Sequence, residues 1–253
     1  ITIDDKNFVI QGISNELKLS DSVFKCHESG STLRFMIPIA MLTNKAVSFE
    51  GQGKLMTRPL DSYFELFKQQ NIPYVYHNSL PLSIEGSLKP DVFKLRGDIS
   101  SQFITGLLFA LPLLNGDSEI IITTKLESKG YVDLTLDVLN QFGIHIENDQ
   151  YKRFIIKGNQ AYKAQNYRVE GDYSQVAFWI VAGLMNGELD CTDMKTNTKQ
   201  GDREILDIVS RMGAKLVFKK DTISVQKTTT IPTIIDGSQC PDIIPVLAVL
   251  AAV

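Results

Sequence analysis

One arrangement of residues recurs along this chain about every seventy positions. It consists of an acidic residue, a short stretch of small or polar residues and then an apolar run, and it begins at Glu28, Asp98, Asp172 and Asp242. Successive members of the series are therefore 70, 74 and 70 positions apart. A period of this length predicts a repeated supersecondary unit, because solenoids have shorter repeats.

A second helix and two short strands follow each of the first three apolar runs. Apolar residues recur at intervals of three and four, as an amphipathic helix requires, in the segments 60–67, 132–139 and 202–209. Short strand candidates come after each of these helices. The unit thus reads strand, helix, strand, helix, strand, strand.

The first helix of each unit is apolar on nearly every side. Segments 107–111 and 177–182 carry almost no polar residue, which predicts helices in a domain interior, with Trp179 in the core. We therefore predict an α/β (α+β) fold in which sheets lie outside and apolar helices inside. A new unit opens near residue 170, so we predict two domains, over 1–169 and 170–253.

Composition and charge narrow the class of partner. The 253 residues include 26 basic and 29 acidic side chains, and a net charge of −3 gives no electrostatic case for nucleic acid or an anionic membrane as partner. No segment reads as a signal peptide, and the apolar run 243–253 is too short to cross a bilayer. Three widely spaced cysteines predict a reducing cytoplasm rather than a disulfide framework. Three histidines without a paired spacing predict no metal site.

Three polar residues, Ser100, Ser101 and Gln102, stand at the start of one apolar helix. Free backbone N–H groups and a partial positive charge make a helix start an anion site, and these side chains add further donors. Gly30, near another such start, lets a ligand approach the backbone closely. Helix capping explains the same residues, so capping and phosphate binding are two open interpretations of the pattern.

Two arginines favour an anionic ligand near these helix starts. Arg34 lies one turn into an apolar helix, where a charge is unfavourable unless it is paired or faces a ligand. Arg58 lies at the approach to the next helix, and guanidinium groups match carboxylate and phosphate. For Arg34 the alternative is a structural ion pair with Glu28 or Glu50. For Arg58 it is a solvated pair with Asp61.

These segments together resemble the 5-enolpyruvylshikimate-3-phosphate (EPSP) synthase family over essentially the whole chain. The resemblance depends on the order and separation of six motifs: Glu28-Ser-Gly-Ser-Thr-Leu-Arg34, Thr57-Arg58-Pro59, Ser100-Ser101-Gln102-Phe103, Ser128-Lys129-Gly130-Tyr131, Glu170-Gly171-Asp172 and Asn197-Thr198-Lys199-Gln200-Gly201-Asp202. The family fold has two domains, each made of three β-α-β-α-β-β units, which agrees with the repeat. The resemblance implies this enolpyruvyl transferase fold, with the second domain incomplete.

The resemblance also implies a reaction. The family transfers the enolpyruvyl (1-carboxyvinyl) group of phosphoenolpyruvate to the 5-hydroxyl of shikimate 3-phosphate and releases phosphate, in aromatic amino acid biosynthesis. A cytoplasmic, monomeric transferase is implied, with these two small-molecule substrates, no cofactor, no metal and no nucleic-acid or membrane partner. The family is the target of glyphosate.

The same resemblance implies roles for individual residues. The residues implied to bind shikimate 3-phosphate are Ser100, Ser101, Gln102, Ser128, Tyr131 and Asp242. Those implied to contact phosphoenolpyruvate are Gly30, Arg58 and Gln102, with Arg34 in support. Asp242 matches the family's aspartate that takes a proton from the attacking hydroxyl, which a carboxylate within hydrogen-bond reach can do.

The chain departs from the family pattern in places. Gly130 stands where many members have proline, which predicts a looser loop beside Tyr131, and Glu28-Ser29 replaces the commoner Asn-Ala. Family segments with Lys-Ser…Arg, Lys-Glu-x-Asp-Arg and His-Arg are expected before Ile1 and after Val253, so we interpret the chain as an excerpt that is inactive alone. The alternative functions are UDP-N-acetylglucosamine enolpyruvyl transfer and non-catalytic binding of a phosphosugar.

Overall fold

The computed structural model describes residues 1–4, 6–13 and 17–252, and the chain divides into two compact units. The first unit consists of Ile1–Lys125 and Val138–Gln165, and the second of Leu126–Asp137 and Asn166–Val253. The sequence pattern places a boundary near residue 170 and does not predict that 126–137 belongs with the second unit. Backbone and side-chain hydrogen bonds to Ser238 and Gln239 hold that segment there.

The first unit contains two four-stranded sheets with the same connectivity. Its strands are β1 (Thr2–Ile3), β2 (Phe8–Val9), β3 (Val23–Lys25), β4 (Val47–Glu50), β5 (Tyr74–Val75), β6 (Leu82–Ile84), β7 (Val92–Leu95), β8 (Ser118–Ile122), β9 (Ile146–Asp149) and β10 (Arg153–Ile156). The sheets have the orders β3-β4-β6-β5 and β7-β8-β10-β9. In each sheet the first two strands are parallel and the other pairs antiparallel. The strands β1 and β2 form a separate antiparallel ribbon.

Helices connect these strands in the predicted order. They are α1 (Gly30–Ala40), α2 (Asp61–Gln70), α3 (Ser101–Ala110) and α4 (Lys129–Gln141), and short 3-10 turns cover Gly53–Thr57 and Leu111–Leu113. The apolar helices α1 and α3 join the parallel pairs β3/β4 and β7/β8, because parallel strands need a crossover connection. The predicted unit of strand, helix, strand, helix, strand, strand is confirmed.

Close contact between α1 and α3 forms the centre of the first unit. A Cβ atom on Gly106 of α3 would lie 2.5 Å from the backbone oxygen of Arg34 in α1. The same oxygen accepts a 2.5 Å hydrogen bond from the hydroxyl of Tyr63, which is fully buried in α2. The two apolar helices therefore approach so closely that residue 106 must lack a side chain.

We expect Gly106→Ala to destabilise the chain although alanine is the better helix former. Overpacking a core costs about 1–3 kcal/mol, and here the obstacle is backbone that cannot rotate away. Gly183→Ala is a matched control, because a Cβ there would meet only side-chain atoms, at 3.3 Å. Urea unfolding should show a clearly larger loss of unfolding free energy for Gly106→Ala. Equal losses for the two variants would contradict the close approach of α1 and α3.

The second unit repeats the order of elements from its first helix onward. Its further elements are α5 (Tyr173–Asn186), β11 (Leu189–Cys191), α6 (Glu204–Arg211), β12 (Val217–Lys219), β13 (Thr222–Val225) and α7 (Ile244–Ala251). Strand β13 lies between β11 and β12 and is antiparallel to both. The 3-10 turns are Gly201–Arg203, Gly237–Gln239 and Pro241–Ile243. Buried side chains from the three helices and the sheet form one hydrophobic cluster.

Trp179 lies on the surface of the second unit, so the prediction that it belongs to the core is wrong. Helix α5 buries Ala177, Ile180 and Leu184, whereas Trp179 is 61% exposed and Phe178 is 50% exposed. Successive residues turn by about 100° around an α-helix, so a helix packed on one side leaves some residues outside whatever their polarity. Within the described part of the chain, no helix has the length and apolar character that a membrane crossing needs.

Candidate active site

The start of α1 combines a capped helix with a buried glycine. Ser29 is the N-cap, and its Oγ accepts a 3.1 Å hydrogen bond from the backbone N–H of Thr32. Gly30 is the first residue of the helix and is buried. Capping is thus the role of Ser29 and not of Gly30.

Two guanidinium groups and one amide converge above Gly30. A Cβ atom at this position would lie 3.0 Å from Nη1 of Arg58. It would lie 3.8 Å from Nη1 of Arg34 and from Oε1 of Gln102. These four residues come from three separate motifs of the sequence, and the fold of the first unit brings them together.

Arg34 is a buried cation whose partners are neutral. Its Nη1 donates to Oε1 of Gln102 at 2.8 Å, its Nη2 donates to the carbonyl of Pro59 at 3.4 Å, and the guanidinium lies 4.8 Å from the ring centre of Phe103. The alternative of an ion pair with Glu28 or Glu50 is wrong for the described residues. Burial lowers the pKa of Arg34, and the neighbouring charge of Arg58 lowers it further.

Arg58 presents a second positive charge to the same place. It follows the 3-10 turn Gly53–Thr57 and is exposed. In the part of the chain that the structure describes, it forms no ion pair with Asp61, so that alternative is also wrong. The positive charge of Arg58 disfavours the charged form of Arg34, so an anion placed between the two guanidinium groups would lower the energy of both.

The polar start of α3 has two functions in the structure. Ser100 is the N-cap, and its Oγ accepts from the backbone N–H of Gln102 at 3.3 Å. The Gln102 side chain instead extends to Arg34. Ser101 is buried at the same turn, 7% exposed. Capping therefore accounts for Ser100 alone among the three polar residues.

The start of α4, in the second unit, is tightly packed. Ser128 has a left-handed backbone with a φ of 53°, and its N–H donates to the carbonyl of Ser238 at 3.2 Å. A Cβ on Gly130 would lie 2.6 Å from the backbone nitrogen of Gly201. The loop is therefore closely packed at Gly130, where a side chain would meet the backbone of Gly201.

Tyr131 links two aspartates within the second unit. Its hydroxyl lies 2.7 Å from Oδ2 of Asp202 and 2.9 Å from Oδ2 of Asp242. Asp202 is 2% exposed, whereas Asp242, in the turn Pro241–Ile243, is exposed. Burial raises the pKa of Tyr131, and both carboxyl groups raise it further. Burial also raises the pKa of Asp202.

The structure groups the predicted residues by unit. In the first unit a cluster contains Gly30, Arg34, Arg58 and Gln102, with Ser100 and Ser101 at the start of the helix that carries Gln102. Within the second unit, Ser128 and Tyr131 lie at the start of α4, and Asp242 contacts Tyr131. Sequence reasoning missed the contact between Asp202 and Tyr131, because an acidic residue just before an amphipathic helix is typical of a helix start.

Comparison with known proteins identifies the family. The family model described as EPSP synthase (3-phosphoshikimate 1-carboxyvinyltransferase) matches residues 1–253. This chain belongs to the EPSP synthase family. The repeat and the apolar α1/α3 pair are thus features of an α/β enolpyruvyl transferase fold.

Relatives named 3-phosphoshikimate 1-carboxyvinyltransferase match most of the chain. The 3-phosphoshikimate 1-carboxyvinyltransferase of Clostridium novyi (strain NT) is 52% identical over 239 residues, which is 94% of this chain and 55% of the relative. That of Clostridium perfringens (strain SM101 / Type A) is 52% identical over 255 residues, 100% of this chain and 60% of the relative. The chain thus spans less than two thirds of the length of either relative.

A solved EPSP synthase shares the fold. The structure from Acinetobacter baumannii matches with a TM-score of 0.72 at 18% identity, and the match covers 93% of this chain and 56% of that one. At this identity the likeness supports the EPSP synthase fold alone.

Proposed function

We propose that this chain forms part of a 3-phosphoshikimate 1-carboxyvinyltransferase. Such an enzyme moves the carboxyvinyl group of phosphoenolpyruvate to the 5-hydroxyl of shikimate 3-phosphate and releases phosphate, in aromatic amino acid biosynthesis. Beyond family membership, the proposal rests on the convergence of Arg34 and Arg58 above Gly30 without a carboxylate partner among the described residues.

Phosphoenolpyruvate fits the cluster above Gly30 by its charges. It carries a phosphate and a carboxylate, and guanidinium forks bind both groups. Arg58 is exposed and has no competing acid among the described residues, so we assign it the main contact. Gln102 fixes Arg34 at 2.8 Å and keeps its charge directed at the same point, while Gly30 leaves the space above the helix start.

We assign shikimate 3-phosphate to hydroxyl donors. Ser100 and Ser101 stand at the first turn of α3, where the partial positive charge of a helix start favours phosphate. Ser128 supplies the corresponding hydroxyl donor in the second unit, and Tyr131, in the first turn of α4, is assigned a contact with the same substrate that does not use its hydroxyl proton. A loss of shikimate 3-phosphate affinity in the double variant Ser100→Ala, Ser101→Ala is expected, and unchanged binding by calorimetry would contradict this assignment.

Asp242 is the proposed base. The reaction replaces the phosphate oxygen on the carboxyvinyl carbon by the 5-oxygen of the acceptor, so the 5-hydroxyl must lose its proton. Asp242 is exposed, and Tyr131 engages only its Oδ2 in the described structure. The other carboxylate oxygen can therefore accept that proton.

The direct test is phosphate release. We expect a protein that spans the full length of the curated relatives to release phosphate only when both substrates are present, with one carboxyvinyl product formed per phosphate. Phosphate release with UDP-N-acetylglucosamine in place of shikimate 3-phosphate would favour the rival transferase. Binding of shikimate 3-phosphate without turnover would favour a binding module.

We further propose that the enzyme is a cytoplasmic monomer that glyphosate inhibits and that needs no cofactor. These properties come from the resemblance to the family. Inhibition of phosphate release by glyphosate and a monomeric mass in sedimentation are the expected results.

A further inference from the structure

The contacts of Tyr131 require more protons than its hydroxyl can supply. The hydroxyl lies within hydrogen-bond distance of Oδ2 of Asp202, at 2.7 Å, and of Oδ2 of Asp242, at 2.9 Å. A phenol has one hydrogen to donate, and an ionised carboxylate can only accept. Both contacts are full hydrogen bonds only if one of the two carboxyl groups carries a proton.

Burial identifies the group that holds the second proton. Asp202 is 2% exposed, and its Oδ1 is buried without a hydrogen-bond partner in the described residues. Asp242 is exposed to solvent, which stabilises an ionised carboxylate. An isolated buried charge is far more unfavourable than a buried neutral acid, so the proton belongs on Asp202.

Among the described residues, acidic groups rather than cations surround Asp202. The titratable groups that face it are Tyr131 on α4, Asp242 in the turn before α7, Asp172 at the N-cap of α5 and the buried thiol of Cys240. Burial raises the pKa of Asp202 and the charges of Asp242 and Asp172 raise it further; a hydrogen bond donated by Tyr131 would lower it, and that bond is absent when Tyr131 donates to Asp242 instead. In the described chain no lysine or arginine forms an ion pair with Asp202.

We propose that Asp202 is a positioning residue that acts on Asp242 through Tyr131. Protonated Asp202 donates to the Tyr131 oxygen, and Tyr131 donates its own proton to Oδ2 of Asp242. This orients the Asp242 carboxylate and leaves Oδ1 to accept the proton of the substrate hydroxyl. The inference rests on the proposed function, in which Asp242 is the base.

Asparagine is the decisive replacement at position 202. Its amide can donate to Tyr131 as the protonated acid does, but it cannot ionise. The variants are made in a protein of the relatives' full length and compared with wild type at a pH below the alkaline limb of the profile. There Asp202→Asn should keep kcat/KM within about threefold of the wild-type value. Asp202→Ala and Tyr131→Phe should lower kcat/KM by about 10²-fold, because a misplaced base loses that much. The fall of kcat/KM at high pH that comes from ionisation of Asp202 should disappear in Asp202→Asn.

Stability gives a readout that needs no substrate. The pKa of Asp202 is raised in the folded state. Its contribution to the unfolding free energy is therefore fully present below the pKa of an aspartate in the unfolded chain, and it is lost as the pH rises through the folded-state pKa. The unfolding free energy of the wild-type 253-residue chain should therefore fall relative to that of Asp202→Asn as the pH rises.

A double variant tests whether Asp202 acts through Tyr131. In a Tyr131→Phe background, which keeps the aromatic ring, the effect of Asp202→Asn on the pH profile of activity should vanish.

The outcomes separate the two proposals. A stability difference between wild type and Asp202→Asn that stays constant with pH would overturn the proton assignment. Equal loss of kcat/KM in Asp202→Asn and Asp202→Ala would overturn the positioning role. Absence of carboxyvinyl transfer by the wild-type protein would contradict the proposed function instead, and the stability result would still test the proton on Asp202.

Discussion

Asp242→Asn is expected to lower the turnover of shikimate 3-phosphate by about 10²- to 10⁴-fold, the usual contribution of a positioned general base. The substitution keeps the size of the side chain and one acceptor oxygen for Tyr131, but it removes the group that takes the proton. Since Asp242 is exposed, we expect the substitution to change the unfolding free energy of the protein little. Turnover is measured by phosphate release with both substrates at saturation.

A matched control distinguishes loss of the base from loss of negative charge. Asp190 is exposed on β11 of the same unit, and Asp190→Asn changes the net charge equally. It should leave turnover unchanged. If Asp242→Asn retained full turnover, Asp242 would not be the base, and the assignment carried over from the family would be wrong for this chain.

Arg58→Ala is expected to raise the KM for phosphoenolpyruvate by about 10- to 100-fold, the range for losing hydrogen bonds to a charged group. The cause is the loss of one of the two guanidinium groups above Gly30. Arg58→Lys should recover part of the affinity, because lysine keeps the charge and loses the planar fork. Initial rates at varied phosphoenolpyruvate measure both effects.

Lys54 offers the control for Arg58. It lies in the 3-10 turn just before Arg58 and is exposed, but its side chain is not among the groups near Gly30. Lys54→Ala should leave the KM for phosphoenolpyruvate unchanged. An equal rise in KM for Lys54→Ala and Arg58→Ala would indicate a diffuse effect of charge rather than a defined site.

The order of elements could be predicted because it depends on local patterns. Intervals of three and four in 60–67 and 202–209 describe single amphipathic helices, and the seventy-residue period shows that they repeat. The exposure of Trp179 could not be predicted in this way. An apolar helix has no polar face to indicate which side will be packed, so its orientation is decided by neighbours distant in sequence.

The candidate site was predictable in its residues and not in its contacts. Arg34 and Gln102 are 68 positions apart, and Tyr131 and Asp202 are 71 apart, so each contact joins two different repeats. The sequence alone left open whether Arg34 pairs with Glu28, with Glu50 or with a ligand. The choice of Gln102 depends on the close packing of α1 against α3, which Gly106 permits.

The position of bound phosphoenolpyruvate tests the central claim most directly. A crystal structure of a protein that spans the full length of the curated relatives, with shikimate 3-phosphate and a non-reacting phosphoenolpyruvate analogue, would show it. We predict an anionic group of the analogue within hydrogen-bond distance of Arg58, directly above Gly30. An analogue bound elsewhere, with the guanidinium groups of Arg34 and Arg58 paired to carboxylates of the protein, would contradict the account.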